Sequence, residues 1–251
     1  MSAHDGRRVY LHRRDSLGST NDEARALVEA GEPAPLAVRA RVQTAGRGRR
    51  GALWDSPAGG LWITFADLWE APPPPCTALR VARALHGTIA SEFESPERVR
   101  IKWPNDLLVD GRKCAGVLCE SHRAGEQHLV LIGVGVNADF EAAQLPDGLR
   151  FPATTLRAAL GRPVDADQIC DRFVDAMERV LEQRDPVLTG DELRALIERL
   201  AFIDENIRVR RPDGSHVIAT LEGLAPDGRA ALRTQDGGIL MTDAGEFEAV
   251  D

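Results

Sequence analysis

Lysine is almost missing from this sequence: of its 31 basic residues only Lys102 and Lys113 are lysine, and the rest are arginine. Both fall in one block, Ile101-Lys102-Trp103-Pro104-Asn105-Asp106-Leu107-Leu108-Val109-Asp110-Gly111-Arg112-Lys113. A compact, movable ammonium does what a planar guanidinium cannot, so the block is a first place to look for chemistry. The plainer reading is that codon composition favours arginine and that two lysines survived by chance. Other absences narrow the class of protein. The four cysteines (Cys76, Cys114, Cys119, Cys170) form no CxxC pair and the six histidines lack a ligand-like spacing, so neither a disulfide framework nor a zinc site is indicated. No apolar run reaches the length of a membrane span, and the polar start Met1 to Arg8 lacks the apolar core of a secretory signal. A cytoplasmic location is the expectation. A basic excess is missing as well: the net charge of -8 disfavours general nucleic-acid binding, so any anion site must be local.

What is present is an ordinary globular composition, 251 residues at 43% hydrophobic and 28% charged, enough for one sizeable domain and a small one. Val9 to Leu11 reads as a strand leading to Ser19-Thr20-Asn21 at a helix start, where Thr20 and Glu23 have capping-box spacing and the helix runs through Ala24 to Ala30. Leu36 to Val42 alternates at period two and Gly60 to Leu68 reads as another strand, leaving Gln43 to Gly59 as a long connection of the kind that is usually functional or disordered. After Pro72 to Pro75 a helix is expected over Thr77 to Phe93, then strands over Val99 to Val109, Arg112 to Ser121 and Gln127 to Asn137, with Asp110-Gly111 as a hairpin turn. Thr154 to Leu160, Ala166 to Glu182 and Asp191 to Leu200 read as helices. From Ile207 short strands punctuated by Pro212-Asp213-Gly214, Pro226-Asp227-Gly228 and Gly237-Gly238 suggest a small β-barrel. The expected class is α+β, a mixed sheet flanked by helices over residues 1–202 and a barrel over 203–251.

Three stretches carry candidate chemistry. Gln43-Thr44-Ala45-Gly46-Arg47-Gly48-Arg49-Arg50-Gly51 places three arginines among three glycines, a loop able to fold over an anion. Gly46, Gly48 and Gly51 also spell GxGxxG, but Ala52 to Gly60 cannot supply the helix whose N-terminus would hold a pyrophosphate, and no Lys-Ser or Lys-Thr follows Gly51 to make a Walker loop. A solvated basic loop is the bland alternative. In Lys102-Trp103-Pro104-Asn105-Asp106 the proline interrupts the strand ladder, so Asn105 and Asp106 project from a bend; a turn held by their side chains would look the same. Lys113 lies seven residues past Asp106, across the turn, and the sequence does not fix which face of the sheet it takes. Gly133 and Gly135, inside the apolar strand that ends at Asn137, mark either close approach of a ligand or another backbone, or a bulge.

Taken in order, Ser19-Thr20-Asn21, the Gln43 to Gly51 loop, Lys102 to Asp106 with Lys113, and Gly133-Val134-Gly135-Val136-Asn137 resemble the biotin protein ligases. The resemblance runs from about Val9 into the C-terminal barrel, which is similar to the family's SH3-like domain; only Asp139 to about Leu200 says little. It implies a class II synthetase-like catalytic domain that uses ATP with Mg2+ to activate biotin as biotinyl-5'-AMP and pass it to a lysine of a biotin carboxyl carrier domain. It further implies biotin contacts from Ser19, Thr20, Asn21, Gln43, Gly46, Arg47, Gly48, Arg49 and Lys113, catalytic roles for Lys113, Arg47 and Arg49, and nucleotide contacts from Trp54, Asn105, Asp106 and Asn137. No protein metal site is expected. Family members with a DNA-binding repressor domain carry it ahead of the first motif, so no DNA binding is expected here, and the expected state is a monomer or weak homodimer. Two other readings stay open: a lipoate or octanoate ligase or transferase of related architecture, and a noncatalytic biotin sensor.

Overall fold

Strand β1 (Tyr10–Leu17) runs parallel to β2 (Leu36–Gln43), and the connection between them carries helix α1 (Thr20–Glu29). The structure, a computed structural model, describes residues 8–210 and 214–250. Pro212 and Asp213, expected in a turn of the C-terminal strands, lie outside the described residues, as does the polar start up to Arg7. After β2 the chain adds β3 (Leu61–Trp69), α2 (Thr77–Ala90), β4 (Val99–Lys102), β5 (Asp106–Val109), β6 (Arg112–Ala124) and β7 (Gln127–Val136). Together the strands form a seven-stranded mixed sheet in the order β1-β2-β3-β7-β6-β5-β4. Helices α3 (Leu156–Leu160), α4 (Ala166–Glu182) and α5 (Gly190–Ile197) follow, and then β8 (Asn206–Arg210), β9 (His216–Leu224), β10 (Ala230–Thr234), β11 (Ile239–Thr242) and β12 (Glu246–Ala249) make a second, antiparallel, SH3-like sheet. None of the described helices is long and apolar enough to cross a membrane.

Period-two alternation explains how the large sheet is covered. On one face Leu61, Ile63 and Phe65 of β3 and Val130, Ile132 and Val134 of β7 join the main core beneath α2 and α4. On the other face Ala66, Leu129 and Leu131 pack with Ala24 of α1, while Thr64, Gly133 and Gly135 fall at the intervening positions of the same strands. That second face is only partly covered by α1, and the uncovered part becomes the floor of a cavity.

Several expectations are adjusted by the structure. The segment Val99 to Val109 is two strands, because the chain bends at Trp103 to Asn105, with a cis Trp103–Pro104 bond, before returning as β5. Thr20 does not cap α1; Ser19 is the N-cap residue, Thr20 turns its hydroxyl to Gln43, and Glu23 pairs with Arg14 instead. Gln43 to Gly59 is not structureless. It doubles back through the bridges Gln43 to Ser56 and Arg47 to Leu53, with a single 3-10 turn over Arg49–Gly51 at its tip. The Asp110-Gly111 turn has positive φ at both residues (49° and 72°), the backbone that Asp-Gly hairpins require.

Trp103 ties the two sheets together. Its ring, 2% exposed, stacks on Phe247 of β12 with centroids 4.7 Å apart, and its Nε1 donates to the Gly228 carbonyl at 2.9 Å. Because Trp103 lies between Lys102 and the Asn105-Asp106 bend, the second sheet holds the same backbone that carries the polar candidates. Trp103→Ala would leave a large cavity at this seam and a carbonyl without its donor, at a cost of about 3–5 kcal/mol. Urea unfolding should register that loss; a change below about 1 kcal/mol would show that the seam is not held by this ring.

Candidate functional site

A cavity of about 750 Å³ opens on the sheet face that α1 leaves bare, a volume suited to a small-molecule site. One row of paired residues crosses its floor: Trp62 of β3 is opposite Gly135 of β7, which is opposite Gly116 of β6, which is opposite Asp106 of β5. Two glycines in succession leave a trough. Trp54 fills part of it, so that a Cβ on Gly135 would lie 2.6 Å from the indole Nε1. Lys113 lies alongside, its Cε 3.4 Å from where a Cβ on Gly116 would be. Gly133 and Gly135 mark no bulge, since that register has no irregularity, and what approaches them is neither a ligand nor a backbone but side chains, Asn21 over Gly133 and Trp54 over Gly135.

The face taken by Lys113 is settled by a β-bulge. Leu107 pairs with Ala115, but Leu108 pairs with Lys113, so Cys114 is one residue in excess on β6. Cys114 and Ala115 both enter the core, and Lys113 is thereby returned to the cavity face, beside Asp106. Its Nζ is 2.7 Å from Asp106 Oδ1 and 5.1 Å from the Trp54 ring. The first contact is a charge pair without hydrogen-bond alignment at Oδ1. Lys102 approaches the same carboxylate from the other side, Nζ to Oδ2 3.9 Å, with its ammonium 4.1 Å from the centre of the Phe151 ring.

The arginine loop reaches this floor with Arg49, which donates to Asn105 Oδ1 at 2.8 Å while Asn105 donates to the Val117 carbonyl. Burial pushes the Arg49 guanidinium down from its ordinary value, with Arg50 adding repulsion. No carboxylate lies within ion-pair distance of Arg49 among the described residues, and a desolvated cation without a counter-ion is a ready anion site. Arg47, expected to face the same anion, instead makes a two-pronged pair with Asp22 at 2.7 and 2.8 Å, and that bond holds the Asp22 carboxyl below its ordinary range. Gly48 lines the cavity, whereas Gly46 does not: it is buried in the loop's own fold, where a Cβ would lie 2.3 Å from the Trp54 carbonyl oxygen. Asn137, at the end of β7, lines the cavity and donates through Nδ2 to the Thr154 carbonyl.

At the far end Ser19, Thr20 and Asn21 enter the cavity wall from the start of α1, each at most 5% exposed. Thr20 donates its backbone N–H to Gln43 Oε1 at 2.8 Å, and Gln43 Nε2 donates to Ser56. Sequence reasoning did not find Thr64, Glu120, Gly116 or the cavity-lining residues Phe140 to Phe151. The polar Thr64 within Leu61–Trp69 and the glycine within β6 were visible signals. The 140–151 loop, which contributes Arg150 and Phe151, has no pattern to read before the fold brings it over the cavity.

The cavity thus offers a polar recess at one end and a cationic floor at the other, the layout of an enzyme that joins a carboxylate with a polar head to a phosphate compound. A sequence model of the Biotin/lipoate A/B protein ligase family matches residues 15–137. The chain is 33% identical over 234 residues to the biotin--[acetyl-CoA-carboxylase] ligase of Paracoccus denitrificans, covering 91% of this chain and 96% of that one. It is 31% identical over 235 residues to the bifunctional ligase/repressor BirA of Bacillus spizizenii, covering 91% and 70%. Its fold superimposes on a biotin protein ligase from Aquifex aeolicus, solved with biotin and ATP, with a TM-score of 0.79 at 24% identity over 95% of this chain and 97% of the other. The chain belongs to the biotin protein ligase family.

Burial also sets a pH dependence. Desolvation lowers the Lys102 pKa from its ordinary 10.5, and the attraction of Asp106 offsets only part of this. Between the lowered value and 10.5 the unfolded chain binds more protons than the folded one, so the stability difference attributable to Lys102 grows as pH rises through that window. In Lys102→Met this contribution is absent, and the stability of the variant relative to wild type should fall between pH 7 and pH 10 in urea titrations. A difference that stays constant with pH would overturn the assignment.

Proposed function

We propose that this protein ligates biotin to a carrier lysine, with the two ends of the cavity dividing the work. It is an ATP-dependent biotin--protein ligase: the biotin carboxylate attacks the α-phosphorus of ATP, pyrophosphate leaves, and biotinyl-5'-AMP remains. A carrier lysine amine then attacks the acyl carbon, AMP leaves with the bonding electrons, and the amine loses its proton. The observation that carries the division of roles is that Lys113 and Arg49, which has no carboxylate within ion-pair distance among the described residues, line the same cavity.

In the first step two anions must approach each other, and Lys113 supplies positive charge where the carboxylate meets the phosphate. Asp106 holds the ammonium in place until substrate oxygens compete for it. Arg49 receives phosphate oxygens, Trp54 walls the base, and Asn105 and Asn137 border the nucleotide. Ser19, Thr20, Asn21 and Gln43 receive the ureido ring, and Gly48 lets the loop approach the chain of the substrate. Arg47 serves by closing the loop against Asp22 at the start of α1, so its role is to keep water from the mixed anhydride. Gly46 acts through the fold of the loop rather than by contact.

The residues present fit a magnesium ion that arrives with the nucleotide. No cluster of three or more His, Cys, Asp or Glu side chains suited to a metal is found among the described residues, and Asp106 is already committed to two lysines. The phosphates would hold the ion and the ion would screen their charge. The acceptor is the biotin carboxyl carrier domain of a carboxylase. A lipoate or octanoate substrate fits less well, because a dithiolane or alkyl end would leave the buried polar recess without partners.

Mass spectrometry of reactions with magnesium-ATP and biotin, lipoate or octanoate, with and without a biotin carrier domain, tests this reading. Biotinyl-AMP and a biotin-sized shift on the carrier are expected; acylation only by lipoate or octanoate would overturn it. Lys113→Ala should lower the rate of adenylate formation by about 100-fold or more. Arg49→Ala should release biotinyl-AMP into solution, read as free intermediate per carrier modified; unchanged rate and retention in both variants would remove these roles.

A further inference from the structure

Thr64 is a fully buried hydroxyl in an otherwise apolar stretch of β3, opposite Gly133. Its Oγ1 lies 2.5 Å from Asn21 Oδ1 and 2.7 Å from Thr20 Oγ1. Thr20 Oγ1 is also 2.9 Å from Gln43 Oε1, and Asn21 Nδ2 donates to Glu120 Oε2 at 2.6 Å. These contacts link three strands and a helix start, and the count of protons limits their direction.

As a carboxylate, Glu120 accepts and cannot donate, so it fixes the amide end of Asn21 and turns Oδ1 toward Thr64. Asn21 Oδ1 accepts only, so the single proton of the Thr64 hydroxyl goes there. Thr64 Oγ1, its proton spent, can only accept from Thr20, and the one Thr20 proton is committed within the protein, to Thr64 or to Gln43 Oε1. Gln43 Oε1 also accepts the Thr20 backbone N–H, and its second lone pair can take the hydroxyl proton. The relay therefore runs Thr64 to Asn21 to Glu120, and with its proton held at Thr64 or at Gln43, Thr20, a cavity-lining residue, turns only lone pairs toward the ligand.

We infer that Thr64 and Glu120 are positioning residues that make the Thr20 hydroxyl an obligatory acceptor, so that the recess selects a head group bearing an N–H donor. The inference rests on the biotin reading and deepens it: a cyclic urea offers such an N–H, and a dithiolane or alkyl end does not. Gly133 belongs to the device, because a Cβ there would lie 2.7 Å from Asn21 Oδ1 and would displace the amide from the relay.

The test uses the full chain with biotin, desthiobiotin, which keeps the urea ring, and octanoate. Transfer of biotin by the wild type comes first, since its failure would sink the functional reading and not the relay alone. With transfer established, Thr64→Val should raise the KM for biotin and the Kd for desthiobiotin about tenfold, leaving the ATP KM and kcat within about twofold and octanoate binding unchanged. Thr64→Ser should restore both values. Glu120→Ala should raise the biotin KM in the same sense. The double variant should match the weaker single variant rather than the product of the two, because both break one chain. A folded Thr64→Val protein with unchanged biotin KM, a loss confined to kcat, or multiplicative effects in the double variant would each overturn the relay.

Discussion

Between Gly116 and Lys113 the sixth strand carries one residue more than the fifth, and the chemistry of the cavity depends on that excess. Without the bulge at Cys114, strict alternation would send Lys113 into the core and Cys114 into the cavity. A buried ammonium under α2 would be desolvated among the apolar side chains of the core, while the floor would lose the cation next to Asp106. The core position taken by Cys114 raises its thiol to about 12 through burial, so the side chain stays uncharged where it lies. The Asp-Gly turn sets the hairpin, and the bulge then corrects its face.

The same face depends on what is absent from it. Gly116 and Gly135 are cross-strand partners and Gly133 is the next cavity-facing position on β7; they leave room for Trp54 over Gly135 and Gly116, for Asp106 and Lys113 beside Gly116, and for Asn21 over Gly133. Side chains at those positions would fill the cavity from below. The sheet can spare the packing because its opposite face is covered by α2 and α4 with a continuous apolar core. One face supplies stability and the other is left bare for ligands.

The second sheet contributes through contact with the same region. Trp103 locks the bend before Asn105 to Phe247, while Glu246 on the same strand accepts from Arg150 of the loop over the cavity and lies 3.6 Å from Arg50 of the arginine loop. Two loops that border the cavity are thus held to one acidic residue. Burial raises the carboxyl of Glu246, yet Arg150 and Arg50 together bring it below its ordinary value, so these pairs hold as ion pairs at neutral pH. Each is partly exposed and individually weak, and their joint effect is to give the loops a shared resting position.

Local pattern in the sequence determined the elements: a period-two run made β2, largely apolar runs made β3 and β7, the break at four prolines preceded α2, Asp110-Gly111 made the hairpin, and Ala166–Glu182 was legible residue for residue as a helix. The residues expected at the site come together too, since all of them but Gly46 line one cavity. What the sequence did not carry were relations between strands. The side of the sheet taken by Lys113 depends on a register shift against β5. The engagement of Arg47 with Asp22, the burial of Thr64 beneath Thr20 and Asn21, and the approach of Phe151 to Lys102 each join residues 25 or more positions apart. Propensity and periodicity act over a turn of helix or a few residues of strand, so they specify elements and the faces they present. Which side chains then share a proton or a charge is decided only when register, bulge and packing bring those faces together.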